Sequence, residues 1–498
     1  MPRAVVVGAG LGGLAAAIRL RARGYDVTVF EALDQPGGRA RVFQRDGFTF
    51  DAGPTVITAP YLLDELFALG GRDRREHVEL IPVDPFYRIL FEDGSAFDFV
   101  GDEERLLAQI AAFEPRDVDG YRKLARHAEA IFDVGYAQLA DQPFHRLSDM
   151  LRVVPAMVRL RSDRSVYDAV AAHLRDERLR QVFSFESLLV GGNPFKTPSI
   201  YLLIHWLERK WGVHFARGGT GAIVRALVDL LASMGVEVRM GEAMLEVQVE
   251  HGRTRGIVVA RDGRTCVERA DIVVCNADPS TVYRDNVPAR SRPLLARRPM
   301  RESMSLFVAY FGVAATYPEL AHHTVVMGPR YRELLDDIFT KRVLADDFSL
   351  YLHAPARTDA GMAPPGHEAF YVLSPVPNTR SGIDWSRMAE PYFERIVGAL
   401  ESRVLPGLRE RLVSATWMTP DDFARDLRST DGAAFGPEPM LRQSAWFRHH
   451  NQSPIEGLYF VGAGTHPGAG VPGVLNSARV LDRLVPRVHG TTRSPSSP

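Results

Sequence analysis

The segment "RAVVVGAGLGGLAAAIRLRARGYDVTVFEA", residues 3–32, decides the fold. A β-branched run, Ala4–Val7, meets glycines at 8, 10 and 13, and an alanine-rich stretch continues to Gly24. That order predicts a buried strand, a tight turn and a helix, then a second strand through "YDVTVFEA". G-x-G-x-x-G between strand and helix has a mechanical reading. Gly8 permits the turn, Gly10 lets a pyrophosphate approach the backbone, and Gly13 lets helix pack on strand. Glu31 lies 18 residues beyond Gly13, where a carboxylate accepts hydrogen bonds from an unphosphorylated ribose, as in FAD or NAD. The uncharged run 4–18 after Arg3 imitates a signal peptide, but the fixed glycine offsets favour strand, turn and helix.

Near the other end, "VGAGTHPGAGVPGVLNSA", residues 461–478, repeats this kind of chemistry about 450 residues later. "GLYFVGAG" reads as a buried strand and "GVPGVLNSARVLDRLV" as the start of a helix. Two glycine-rich turns suggest two ends of one long cofactor. The first would hold the pyrophosphate. The second would offer a helix N-terminus to a ring that gains negative charge on reduction.

Composition bounds the rest. A chain of 498 residues is too long for one core. Its 46% hydrophobic and 24% charged residues are those of a globular protein. Net charge is -1, which argues against a nucleic-acid partner. Two cysteines, Cys266 and Cys275, imply no disulfide framework and a reducing, cytoplasmic setting. No window is long and apolar enough for a transmembrane helix. The strand–helix pattern breaks and returns, which predicts an α/β Rossmann-like domain assembled from 1–85, 211–285 and 421–486. Inserted between are 86–210, largely helical, and 286–420, irregular and proline-rich, forming an α+β substrate-binding, membrane-facing part. Residues 487–498 read as a disordered tail.

The segment beginning at Glu31 carries a resemblance. "EALDQPGGRARVFQRDGFTFDAGPTVI" places Gly37, Gly38 and Arg39 just past the acid, then Asp51, Gly53, Pro54 and Thr55. This extension resembles the flavoproteins that include amine oxidases and carotene desaturases, in which it lies along the FAD. The guanidinium of Arg39 suits a phosphate. The stretches "GLYFVGAGTHPGAGVPGV", "SFESLLVGGNPFKTPSIYLLIHWLERKWGVHFARGGTGAIV", "LAHHTVVMGPRYRELLDDIF" and "QSAWFRHHN" further resemble bacterial-type phytoene desaturases. Two positions depart: Ala463 and Gly464 stand where amine oxidases carry an acid, and Asn476, assigned to the first turn of the last helix, stands where glycine is expected.

The resemblance implies FAD as cofactor and a linear polyene hydrocarbon, phytoene, as substrate. The product would be neurosporene or lycopene, and the electron acceptor oxygen or a quinone. The two loops and the resemblance together place cofactor contacts at Gly8, Ala9, Gly10, Leu11, Gly12, Gly13, Glu31, Gly38, Arg39, Pro54, Thr55, Val247, Asp278, Gly462, Gly464, Gly473 and Val474. Such a substrate offers no polar handle, so its site should be apolar. Asp163, Arg164 and His205 are candidates for assisting proton loss, against an alternative as surface charges and a satisfied core histidine; the catalytic assignment stays open. His322–His323 and His449–His450 are adjacent pairs, and strand neighbours face opposite ways, so no metal site is expected. A membrane-borne substrate implies docking on the inner face of the cell membrane. "SDMLRVVPAMVRLRS" (148–162) and "PSIYLLIHWLERKWGVHF" (198–215) are the candidate contacts. Alternatives are a desaturase of a later, hydroxylated or methoxylated carotenoid, a carotenoid isomerase, an amine oxidase, and a non-enzymatic isoprenoid-binding escort.

Overall fold

The structure, a computed structural model, describes residues 1–294 and 299–488. Most of the expected tail, 489–498, lies outside the described residues. A five-stranded parallel sheet runs in the order Leu458–Phe460, Ile272–Cys275, Arg3–Val7, Asp26–Phe30, Glu237–Arg239. Helices cover one face of this sheet and strands of a smaller sheet the other, so its strands are buried on both sides and read as unbroken apolar runs rather than alternations. Helix Leu11–Ala22 is buried at every residue from Leu11 to Leu20. It packs against the C-terminal helix Val471–Leu484 and against Thr220–Ser233. The chain therefore returns twice, from far along its length, to complete one sheet. A three-stranded antiparallel sheet, Met244–Glu250, Arg253–Arg261 and Arg264–Arg269, lies against it.

A second sheet has seven strands. Its order is Leu412–Met418, Ser305–Val313, Glu368–Val376, Leu350–His353, His323–Val326, Tyr87–Leu90, Ala96–Phe99. All its pairings are antiparallel except His323–Val326 with Tyr87–Leu90. Five of these strands fall within 286–420, the segment expected to be irregular. Ser305–Val313 shows why the pattern misleads: all nine of its residues are buried. A helix-rich cluster covers one face and helix Trp385–Arg403 the other, so no polar side marks the strand period. The helices Asp117–Gly135 and Leu203–Trp211 pack together over the first of those faces.

Candidate functional site

The first loop forms because it has no alternative packing. A Cβ on Gly13 would stand 2.0 Å from the Gly8 carbonyl oxygen, so helix and strand close only around glycine. A Cβ on Gly12 would lie 2.6 Å from Asn276 Oδ1 and 3.2 Å from the Gly462 backbone. The two glycine-rich turns thus touch each other, with the Asn276 side chain between them. Asn276 directly follows strand Ile272–Cys275, in "VVCNAD", two residues before the Asp278 named from sequence.

From this junction a cavity of about 570 Å³ extends across the molecule. At one end it is walled by Gly8, Gly10, Gly12, Glu31 and Glu242. Glu31 is fixed by two backbone donors: Ala9 N–H to Oε2 at 2.7 Å and Leu33 N–H to Oε1 at 3.0 Å. Midway stand Gly38, Arg39, Arg41, Pro54 and Thr55 on one side and Gly462, Gly473 and Val474 on the other. Arg39 Nη2 donates to Ser429 Oγ at 2.7 Å, while its buried Nε has no partner among the described residues; Arg41 Nε is in the same state. Two guanidinium groups with spare donors, in a wall otherwise made of backbone, are suited to a phosphate. Helix Val471–Leu484 points its first turn here, where N–H groups lack intrahelical acceptors. These residues fit an extended FAD.

The far end is apolar. Tyr201, Leu203, Ile204 and Leu207 of the helical layer face Leu306, Leu373 and Met418 of the seven-stranded sheet. One carboxyl interrupts it: Glu208, 1% exposed, lines the cavity and accepts a hydrogen bond from Tyr87 Oη at 2.7 Å, leaving Oε2 without a partner. Burial, with Glu186 nearby, raises its pKa well above the carboxylate range, so it carries a proton.

Among the other sequence candidates, Leu11 also lines this cavity. Ala9, Gly13 and Gly464 sit one residue behind the wall, and a Cβ on Gly464 would meet Pro279 Cδ at 2.5 Å. Val247 is buried between the two smaller sheets, and Met244 takes the wall position there. Asp278 accepts from Thr430 N–H at 3.1 Å; its neighbours Asn276 and Ala277 line the cavity. Asp163 is an exposed loop residue ion-paired with Arg161, and Arg164 is half-buried beside it; neither reaches the cavity wall. His205 is buried behind the wall, 3.2 Å from Tyr121 Oη and 3.3 Å from Glu186 Oε1. Burial lowers its pKa to about 3, and Glu186 is raised, so this contact is a hydrogen bond between neutral groups. Asn476 sits in the second helical turn, not the first; it lines the cavity and donates to Tyr136 Oη at 3.3 Å.

A parallel sheet whose strand ends carry two abutting glycine turns, with a buried acid at Glu31 and spare guanidinium donors along the same cavity, has the form of a dinucleotide-binding oxidoreductase. Residues 11–480 match the family described as flavin containing amine oxidoreductase. A phytoene desaturase (lycopene-forming) of Pantoea ananas is 50% identical over 97% of this chain and 99% of its own. A phytoene desaturase (neurosporene-forming) of Rhodobacter capsulatus is 44% identical over 98% and 94%. Among solved structures, an oxidoreductase from Methanosarcina mazei superposes with a TM-score of 0.64 at 18% identity, covering 97% of this chain and all of its own. Putrescine oxidase bound to putrescine gives 0.63 at 15%, covering 97% and 98%. The chain belongs to the flavin containing amine oxidoreductases and, within them, to the bacterial phytoene desaturases. It is an FAD-dependent oxidoreductase.

Proposed function

We propose that the chain desaturates phytoene in carotenoid biosynthesis, introducing conjugated double bonds to give lycopene or neurosporene. The observation that carries this reading is a single cavity that begins between two glycine loops and ends in aliphatic and aromatic walls. Bound FAD supplies the hydride acceptor for a saturated carbon–carbon bond. The chain supplies position and dryness. Backbone N–H groups at Gly10–Gly12 and the guanidinium groups of Arg39 and Arg41 would hold the diphosphate, and Glu31 the ribose. The turn at Gly462–Gly464 and the helix N-terminus at Val471 would face the flavin. Leu203, Ile204, Leu207 and Leu306 would orient the polyene by shape and exclude water. On this reading 1–85, 211–285 and 421–486 form the FAD-binding unit, and 86–210 with 286–420 the substrate-binding unit.

No helix among the described residues is long and apolar enough to cross a membrane. Docking is proposed through helix Leu147–Arg159, which has no buried residue. Met150, Val153 and Met157 on it line the cavity, whereas Leu151 is 62% exposed and Val158 65%. One helix thereby joins the cavity to the outside, as a hydrocarbon passing from a bilayer requires. The second stretch, 198–215, turns inward: Trp211 packs on Tyr61 and Phe132, and Lys210 lies over the Phe132 ring.

Expression in a host supplied with phytoene, followed by pigment chromatography, tests the assignment. Conversion to neurosporene or lycopene is the expected result. Untouched phytoene beside a folded, flavin-loaded protein would transfer the assignment to a later carotenoid.

A further inference from the structure

Behind the cavity wall lies a histidine cluster that this reading does not use. His323 opens strand His323–Val326 and pairs directly with His353, the last residue of Leu350–His353. His322 precedes the strand, so alternation does not send its ring to the other face. The His322 and His323 ring centroids are 4.5 Å apart, and both approach His353, at 4.7 and 5.3 Å. All three residues are buried, at 5%, 0% and 0% exposure. His449 and His450 make no such group: His449 Nε2 is 3.0 Å from Ser280 Oγ and His450 Nε2 is 3.0 Å from the Trp446 carbonyl.

The hydrogen bonds around the cluster leave a consistent set of atoms spare. His322 Nδ1 is 2.6 Å from Thr358 Oγ1, and His323 Nδ1 is 2.6 Å from Tyr351 Oη. Both Nε2 atoms, and both nitrogens of His353, have no hydrogen-bond partner among the described residues. Asp51 adds an oxygen: Oδ1 accepts from Thr220 N–H at 2.7 Å, while Oδ2 is unpartnered and 4.0 Å from His353 Nε2. Nδ1 engaged and Nε2 free is the arrangement of metal-ligating histidines, whose second nitrogen is held by a neighbour. One ligand atom from each histidine lies within 4.8 Å of the others. Zn–N bonds of about 2.0–2.1 Å put tetrahedral ligands about 3.4 Å apart, so each ring need close in by less than about 1 Å.

We propose that His322, His323 and His353 bind one divalent transition-metal ion of the zinc class. Imidazole donors select such ions over magnesium or calcium, which take oxygen ligands. Three imidazoles leave a fourth position, to be filled by a water or by Asp51 Oδ2, which lies 4.0 Å from His353 Nε2. The ion would clamp the strands His323–Val326 and Leu350–His353 at the end where His323 pairs with His353. It would also fix Tyr351, whose hydroxyl lies 2.6 Å from Thr55 Oγ1 in the cavity wall.

The test uses the full chain with FAD bound, purified without a polyhistidine tag. Samples incubated with zinc sulfate are gel-filtered and analysed for metal, and cobalt(II) difference spectra are recorded above the flavin bands. About one zinc per chain and a cobalt absorption of tetrahedral intensity are expected. Both should fall at least tenfold in His353→Ala and in the bulkier His353→Gln, and stay unchanged in His251→Ala, an exposed control. Folded, flavin-loaded wild-type protein that retains no zinc and shows no cobalt band overturns the proposal. Equal retention by a folded His353 variant does so too.

Discussion

Gly13 and Gly398 show how differently two glycines respond to one added methyl. At Gly13 the Cβ would collide with backbone at 2.0 Å, and no side chain can move aside to relieve it. Gly13→Ala should cost about 1–3 kcal/mol or more and lower bound FAD. The ratio of flavin to protein absorbance, read beside a melting curve, checks this. Gly398 lies within helix Trp385–Arg403, and its nearest neighbour would be Arg409 Nη2 at 3.8 Å. Gly398→Ala should therefore stabilise by about 0.5–1 kcal/mol. Glu302, 6% exposed, is a different case. Burial first, and the Asp278 charge second, raise its carboxyl to about 9. The folded chain keeps a proton that the unfolded chain releases above its ordinary value near 4.5. That stabilisation is complete below 4.5 and drains away as pH rises to about 9, at up to about 1.4 kcal/mol per pH unit. In the FAD-free protein, Glu302→Gln should flatten the fall in melting temperature between pH 6 and 9; an equally steep fall would contradict the assignment. At this scale the turn at Gly8 and Gly13 and the place of Glu31 in the cavity wall were legible, because Gly13 meets the Gly8 carbonyl and Glu31 accepts from Ala9 and Leu33, all within the first 33 residues. Asn276, Arg41, Glu208 and Tyr351 were not, since each acquires its role from residues far along the chain.

Helix Leu147–Arg159 belongs to the next scale, because its proposed role depends on two faces together. Leu147, Leu151, Val154 and Val158 are exposed, while Met150, Val153 and Met157 face the cavity. Burying an exposed leucine or valine contributes about 1.5–3 kcal/mol. Leu151→Glu with Val158→Glu should then lower co-sedimentation with anionic lipid vesicles by at least about tenfold, with FAD content unchanged. Undiminished sedimentation would remove this helix from the docking surface. Sequence marked both this helix and 198–215 as amphipathic with basic flanks, and could not separate them. The difference is what covers the aromatic face: Tyr61, Phe132 and Tyr136 cover Trp211, and these lie on segments whose approach no local pattern records. The same cause hid strand Ser305–Val313, buried on both faces.

The whole molecule depends on long-range closure. The parallel sheet is assembled from strands between Arg3 and Phe460, and the cavity takes its walls from both sheets and the helical layer. FAD bound there should stabilise the chain as one unit, by about 4 kcal/mol when free FAD exceeds its dissociation constant about a thousandfold. Tryptophan provides a selective probe. Of the five tryptophans, Trp206, Trp385 and Trp417 lie in the segments 86–210 and 286–420, whereas Trp211 and Trp446 fall in the FAD-binding segments and are replaced by phenylalanine for this measurement. Trp385 and Trp417 pack with Phe307 in the core behind the seven-stranded sheet. If the two sheets unfold together, stripping FAD should lower the midpoint of the tryptophan fluorescence transition by the same amount as that followed by far-ultraviolet circular dichroism. If the units were independent, the transition of the remaining tryptophans, Trp385 and Trp417 among them, would stay in place while only part of the dichroism signal moved. Coincident shifts are expected, because Thr55 Oγ1 on the cofactor side lies 2.6 Å from Tyr351 Oη, Gly218 N–H donates to Asp359 Oδ2 at 2.8 Å, and Tyr310 of the large sheet donates to the Ala52 carbonyl at 2.9 Å. Contacts of this kind give neither sheet a boundary along which to melt alone.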